Sequence, residues 1–166
     1  MTTAARIEML QRMPVFGALS DDAIAFLLEI MRSVVVPAQH DFFREDDPAT
    51  GIYVLEQGSA SVLKGWQGRQ FLLHRLGPGD CFGEMALMDL KPRSATVRAD
   101  GDCRALLLRS DDLMRLYEHD LEQFTLIQMN LAREVSRRLR DTDERLFELV
   151  MARELPPPPP EWGGQA

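Results

Sequence analysis

Histidine and cysteine are scarce in this chain. Three histidines, His40, His74 and His119, are spread over 166 residues. A cupin-type metalloenzyme needs clustered histidines, usually two separated by one residue, and no such pair is present. The two cysteines, Cys81 and Cys103, do not form a CxxC pair, and no disulfide framework is indicated. They read as small buried hydrophobes in a reducing compartment. No run approaches the roughly 20 apolar residues of a membrane span. The N-terminus, MTTAARIEML, has neither a long apolar stretch nor a small-residue cleavage site. These absences point to the cytoplasm and away from membranes. No GxxxxGK[ST] loop is present to hold a triphosphate. No nucleophile–base pair suggests acyl or phosphoryl chemistry, so no catalytic residue is expected.

Positive charge is also short. The formal net charge is −7, which repels a nucleic-acid backbone unless a basic patch intervenes. The one dense basic run is Arg133, Arg137, Arg138, Arg140 and Arg145. Glu134, Asp141, Asp143 and Glu144 interleave it, as on a solvated helix face with i,i+4 ion pairs.

Apolar residues make up 45% of the chain, enough for a single sizeable core. The periodicity predicts a short helix over 5–13, stopped by Pro14. Ser20 is a good N-cap for a second helix, with Asp21 and Asp22 in its first turn. Short apolar or alternating runs follow at 34–36, 42–43, 52–55, 59–63, 71–76, 96–97 and 104–108. Turn chemistry separates them: Asp46-Asp47-Pro48, Gln57-Gly58, Gly65 to Gly68, and Gly77-Pro78-Gly79-Asp80. Many short strands at about ten-residue spacing argue for an antiparallel sandwich or barrel. Helical period returns at 111–117, with Ser110 as expected cap, and in a long helix from about 121 to 153. Phe124, Gln128, Leu131, Val135, Leu139, Thr142, Leu146 and Leu149 form a narrow seam along it. Such a seam either packs on its own barrel or pairs with its copy in a homodimer. The tail, LPPPPPEWGGQA, is incompatible with helix and favours polyproline II followed by disorder.

The segment Gly79 to Val97 carries the chemistry. Gly83 lets backbone approach a ligand, and Met85-Ala86-Leu87-Met88 are good helix formers for one turn. A glycine opening a helical turn directs free N–H groups at one spot, which attracts phosphate. Arg93 can give two parallel donors to phosphate oxygens. Glu84 is acceptor-only when ionised and suits a sugar hydroxyl pair. The set is sized for one sugar phosphate. The competing reading is a structural ion pair between Glu84 and Arg93.

The order FGEMALM, a short loop, then PRSATV resembles the phosphate-binding cassette of the cyclic-nucleotide-binding domain family. That family includes the bacterial catabolite activator, the regulatory subunits of the cyclic-AMP-dependent kinase and cyclic-nucleotide-gated channels. The resemblance extends through EDDPATGIYVLEQGSASV, with Tyr53 and Gly58, and through GPGDCFGE to the helix stretch VSRRLRDTDERL. It implies a mainly β fold, an antiparallel β-roll or jelly-roll barrel with N-terminal helices and a long C-terminal helix. The implied layout is a helical lead-in at 1–32, a β-roll at 33–109, lid or dimer helices at 110–153 and a Pro-rich tail at 154–166.

It also implies roles. Arg93 matches the arginine on the exocyclic oxygens of the cyclic phosphate, and Glu84 the carboxylate on the ribose 2′-OH. Phe82 leads into the motif, and Gly83, Met85 and Ala86 match positions whose backbone faces ribose or phosphate. Ser94 and Ala95 lie beside the phosphate. Val62 and Leu73 match apolar positions around the base. Thr142 matches a threonine that hydrogen-bonds the adenine amino group, and Arg138 a nearby arginine. Asp143 stands where the catabolite activator has a serine reaching across its dimer, so that contact is not expected. Cyclic AMP is the favoured ligand over cyclic GMP, with no metal. After the long helix comes polyproline in place of a helix-turn-helix. A stand-alone sensor that does not bind DNA and acts on an unknown effector protein or a second copy is therefore expected. The remaining alternatives are an interaction module with a vestigial pocket and a cupin-like metalloprotein.

Overall fold

The computed structural model describes residues 2–154. The proline-rich tail lies outside the described residues. The chain opens with helix α1 (Thr3–Gln11), capped by Thr2, whose hydroxyl accepts from the Ala5 amide. This cap starts the helix two residues earlier than the periodicity suggests. Pro14 begins a separate 3-10 turn, Pro14–Phe16. Helix α2 (Asp21–Ile30) is capped as expected, the Ser20 hydroxyl accepting from the Ala23 amide at 3.2 Å.

Eight strands follow among the described residues: β1 (Arg32–Val36), β2 (Asp41–Phe43), β3 (Gly51–Gln57), β4 (Ala60–Trp66), β5 (Arg69–Leu76), β6 (Cys81–Phe82), β7 (Thr96–Ala99) and β8 (Cys103–Arg109). They form two four-stranded sheets, ordered β1-β8-β3-β6 and β2-β7-β4-β5, all pairs antiparallel. This is the expected jelly-roll, as two facing sheets. Strand β6 went unread in the sequence because only two residues pair, Phe82 with Tyr53 and Cys81 with Val54. The β4–β5 turn is Gln67-Gly68, both at positive φ, and Gly65 belongs to β4. That two-residue turn suits the twist of a hairpin.

Strand β3 is buried on both faces, so its period-2 alternation feeds two cores. Ile52 and Val54 join Leu106, Leu108 and the helices, including Phe16, Leu27, Leu116, Ile127 and Leu131. Tyr53 and Leu55 join Val62, Leu76, Phe82 and Val97 between the sheets. Buried Glu56 receives two hydrogen bonds from Arg6, at 2.7 and 3.1 Å, which pins α1 to the end of β3. Both cysteines are buried and free, as small hydrophobes would be.

Helix α3 is the single turn Met85–Met88. Helices α4 (Ser110–His119) and α5 (Leu121–Glu154) close the described chain. Ser110 is the first helical residue and not the cap. Arg109 is the N-cap, and Asp112 in the first turn accepts from its amide at 2.9 Å. The α5 seam divides. Leu131 is buried against the domain and Asn130 donates to the Val15 and Gly17 carbonyls, whereas Leu139, Leu146 and Leu149 are exposed. No helix among the described residues is long and apolar enough to cross a membrane.

Gly51 opens β3 where the two sheets and the site converge. A Cβ there would sit 2.3 Å from the Leu108 carbonyl oxygen, a backbone atom with no freedom to yield. Gly51→Ala is therefore expected to destabilise the fold by about 1–3 kcal/mol, the usual cost of overpacking. Urea unfolding should report a lower midpoint with an unchanged slope. An unchanged midpoint would contradict this packing.

Candidate ligand-binding site

Strand β6 delivers the chain to Gly83, whose φ is +83°. A side chain there would also collide with Arg93, since a Cβ would lie 2.5 Å from its Nη1. Glycine thus meets two demands at once, a left-handed backbone and a guanidinium packed against it. Glu84 follows, then the α3 turn, whose first amides have no carbonyl within the helix to bond. Leu90, at φ +55°, and Pro92 turn the chain back to Arg93.

Arg93 is 3% exposed. Its Nη1 donates to the Gly83 carbonyl at 2.9 Å and its Nη2 to the Gly51 carbonyl at 2.8 Å. The guanidinium lies over the Phe43 ring, 4.1 Å from the centroid, a cation–π contact. Backbone pairing of Arg93 with Asp46 and Asp47 holds its loop. Its Nε has no partner, and no carboxylate forms an ion pair with it among the described residues. A buried cation without a counter-ion is costly, and an anion in the cavity offsets that cost.

Glu84 is 1% exposed. The structural ion pair with Arg93 is not formed. Glu84 Oε1 instead accepts from Arg138 Nη1 at 2.6 Å, while Oε2 is unpartnered. Burial pushes the Glu84 carboxyl above the ordinary carboxylate range, and the Arg138 charge opposes this. Arg138, on α5, also donates to the Cys81 carbonyl at 2.8 Å and to Glu134 at 3.1 Å. It therefore fastens the long helix to β6 and Glu84. Part of the basic run is solvated as expected, but Arg138 is turned into the site.

These groups border a cavity of about 860 Å³. Phe82, Gly83, Glu84, Met85, Arg93, Ser94 and Ala95 line one end. Val62 and Leu73 line it from β4 and β5, and Arg138 and Thr142 from α5. Val62 and Ala95 are buried wall, while Leu73 and Met85 are half-exposed. Ala86 lies in α3. Thr142 donates its hydroxyl proton to the Arg138 carbonyl at 2.8 Å, which leaves its oxygen as an acceptor. Sequence reasoning missed Phe43, Lys64, His74 and Arg145, which also line the cavity. Lys64 is spent on the Ser94 carbonyl, at 2.7 Å, and on Glu45. Among the described residues no group of three or more His, Cys, Asp or Glu side chains could hold a metal ion.

The pocket thus presents at one end a buried cation without an ion-pair partner among the described residues and, beside it, a half-used carboxylate. A family model described as a cyclic nucleotide-binding domain matches residues 33–120, just over half of the chain. The protein belongs to the cyclic nucleotide-binding domain family. It is 31% identical over 144 residues to the CRP-like cAMP-activated global transcriptional regulator of Mycobacterium tuberculosis, covering 86% of this chain and 62% of the regulator. The chain therefore spans less than two thirds of that relative's length. The N-terminal domain of a transcriptional regulator from Streptomyces coelicolor superposes with a TM-score of 0.69 at 33% identity, covering 82% of this chain and 93% of that one. The regulatory domain of Toxoplasma gondii PKA, in co-crystal with cAMP, gives a TM-score of 0.64 at 26% identity, covering 68% and 43%. All three are described as regulators or regulatory domains.

The Glu84–Arg138 contact has a definite sign. Removing Arg138 leaves a buried carboxylate alone, so Arg138→Ala should lower stability by about 1–3 kcal/mol. Adding Glu84→Gln removes the stranded charge, and the double variant should regain part of that loss. Urea unfolding of the four proteins measures the coupling. Additive losses would mean that the pair contributes nothing.

Proposed function

We propose that this protein is a cyclic nucleotide sensor that takes cyclic AMP, with cyclic GMP as the competing ligand, and signals through its C-terminal helices. The observation that carries the reading is buried Arg93 without a carboxylate partner. In this reading the cyclic phosphate lies against Arg93, whose free Nε and remaining Nη hydrogens donate to its exocyclic oxygens. The backbone of Gly83, Met85 and Ala86 cradles it, with Ser94 and Ala95 alongside. The unpartnered Oε2 of Glu84 accepts from the ribose 2′-OH. The base extends between Val62 and Leu73 on one side and Arg138 and Thr142 on the other. The acceptor oxygen of Thr142 suits an amino group, which adenine presents at C6, where guanine presents a carbonyl oxygen. Two relatives support the ligand class by name, one regulator described as cAMP-activated and one regulatory domain crystallised with cAMP.

Signalling follows from Arg138. A ribose hydroxyl on Glu84 enters the same small network that holds α5, so ligand and helix position are linked. Such linkage needs the ligand to bind one helix arrangement better than the other. The output is read beyond Arg138, where Leu139, Leu146, Phe147 and Leu149 are exposed and available to a second copy or an effector protein. The formal charge of −7 speaks against direct contact of this domain with DNA.

Micromolar affinity corresponds to about −8 kcal/mol. Losing two charge-assisted hydrogen bonds in Arg93→Ala should weaken cyclic AMP binding by about 3–6 kcal/mol, on the order of a hundredfold or more. Calorimetry on a variant whose circular dichroism is unchanged tests this, and wild-type affinity would sink the assignment. Glu84→Gln should weaken cyclic AMP and hardly affect its 2′-deoxy analogue. Equal losses would remove the ribose role. For the helix, sedimentation should report a dimer that Leu139→Glu with Leu146→Glu converts to monomer. A monomeric wild type at tens of micromolar would leave an effector protein as the partner.

A further inference from the structure

The β4–β5 hairpin outgrows the sheet that carries it. Among the described residues β7 pairs with β4 through positions 60–63. Past Leu63 the pairs Lys64–Phe71, Gly65–Gln70 and Trp66–Arg69 have no third strand beside them. Every residue at positions 64–75 is exposed. A two-stranded ribbon is at best marginal in water, because neither of its faces has a layer to bury against. This ribbon nevertheless carries large apolar side chains. Trp66 is 67% exposed, and Phe71 and Leu72 are half-exposed.

Antiparallel partners and residues two apart share a face. Lys64, Trp66, Arg69 and Phe71 therefore lie on one side, the side on which Ala60 and Val62 enter the core between the sheets. The aromatic face is thus an outward continuation of the cavity wall. It is also basic. Arg69 stands over the Phe71 ring, 5.6 Å from the centroid. No acidic residue occurs at positions 57–79, in a chain whose formal net charge is −7.

We propose that residues 155–162 of the same chain, LPPPPPEW, dock on this face. Five consecutive prolines fix φ and prefer polyproline II, a conformation that leaves little entropy to lose on binding. Proline runs of that kind dock on grooves lined by aromatic rings, and Trp66 with Phe71 supplies the rings. Charge agrees, since Glu161 follows the prolines and Arg69 is the exposed cation beside both rings. Reach agrees as well. Arg145 and Val62 line the same cavity. From Arg145 the helix continues for about 14 Å to Glu154, and from Val62 the ribbon continues for about 14 Å to Trp66. The twelve residues after Glu154 span about 37 Å as polyproline II, comparable to that whole path. Tethering makes a weak contact sufficient. A linked segment has an effective concentration on the order of millimolar, so a free-peptide dissociation constant of about 0.1 mM leaves about nine-tenths of the ribbons covered.

The chain has two tryptophans, Trp66 on the ribbon and Trp162 in the tail. Trp162→Phe keeps an aromatic ring in the tail and leaves Trp66 as the single indole reporter. In that full chain Trp66 emission should be blue-shifted and poorly quenched by acrylamide. Replacing all five prolines at 156–160 by glycine in the same background should red-shift the emission and raise the quenching constant severalfold. A chain ended after Glu154 should match the glycine chain, and Arg69→Glu should move both readings the same way by a smaller step. These differences should persist unchanged from micromolar to hundreds of micromolar protein. Identical emission and quenching in the proline and glycine chains would overturn the proposal. A difference that appears only at high concentration would assign the tail to a second copy and overturn the same-chain contact. Trp66 emission that ignores the glycine run but is blue-shifted by phosphatidylserine vesicles would assign the ribbon to a membrane surface instead. All readings are taken without nucleotide, so failure here leaves the cyclic nucleotide reading standing.

Discussion

The guanidinium of Arg93 is held by two backbone carbonyls and one aromatic face, with no carboxylate in ion-pair contact among the described residues. Much of the local structure is dictated by that choice. The Gly83 and Gly51 carbonyls lie on different chain segments, and Phe43 comes from the opposite sheet. A Cβ at Gly83 would enter the guanidinium, and one at Gly51 would enter the neighbouring strand. The buried cation therefore requires glycine at 83 and draws together the carbonyl of Gly51 on β3 and the ring of Phe43 on β2. Carbonyl dipoles and an aromatic face stabilise a cation without cancelling its charge. The residual field points into the cavity, where a carboxylate partner would have absorbed it.

Glu84 shows the complementary logic. A carboxylate this deeply buried needs partners, and it has one in Arg138 and one unused oxygen. Arg138 comes from 54 residues further along the chain and is partly exposed, so solvent screens it more than Glu84. The contact ties α5 to the sheet while leaving one carboxylate oxygen without a partner. A fully buried pair would be static. This one joins a buried carboxylate to a partly exposed arginine on the long helix.

The sequence was informative wherever chemistry is local. Ser20 capped its helix, glycines and prolines separated the strands, and FGEMALM with PRSATV marked the Glu84 and Arg93 neighbourhood. It was silent wherever a partner is remote or is backbone. Carbonyl oxygens carry no residue-type signature, so the environment of Arg93 was invisible. Glu84 looked like a partner for Arg93 because the two are close in sequence, but folding brought Arg138 to it. His74 was weighed only as a metal ligand, and folding places it beside Leu73 on the cavity wall next to a one-residue bulge that no local pattern announces. The cap at Arg109 and the turn at Gln67-Gly68 were displaced by one or two residues, where local candidates stood side by side.

Helix α5 carries these threads to the surface. Its first half is committed: Ile127 and Leu131 are buried, and Asn130 bonds two carbonyls beside the 3-10 turn. Its second half has no apolar burial to match, and Leu139, Leu146, Phe147 and Leu149 face solvent. Between the halves stands Arg138, joined to Glu84, Cys81 and Glu134. The seam that looked like one uniform surface is two, divided where the helix meets the cavity. In the proposed sensor this division matters. A ligand that alters the Arg138 contacts cannot move the anchored half without breaking a core. The distal half can reorient at the cost of only a few polar contacts, and its exposed side chains are those a second copy or an effector would meet.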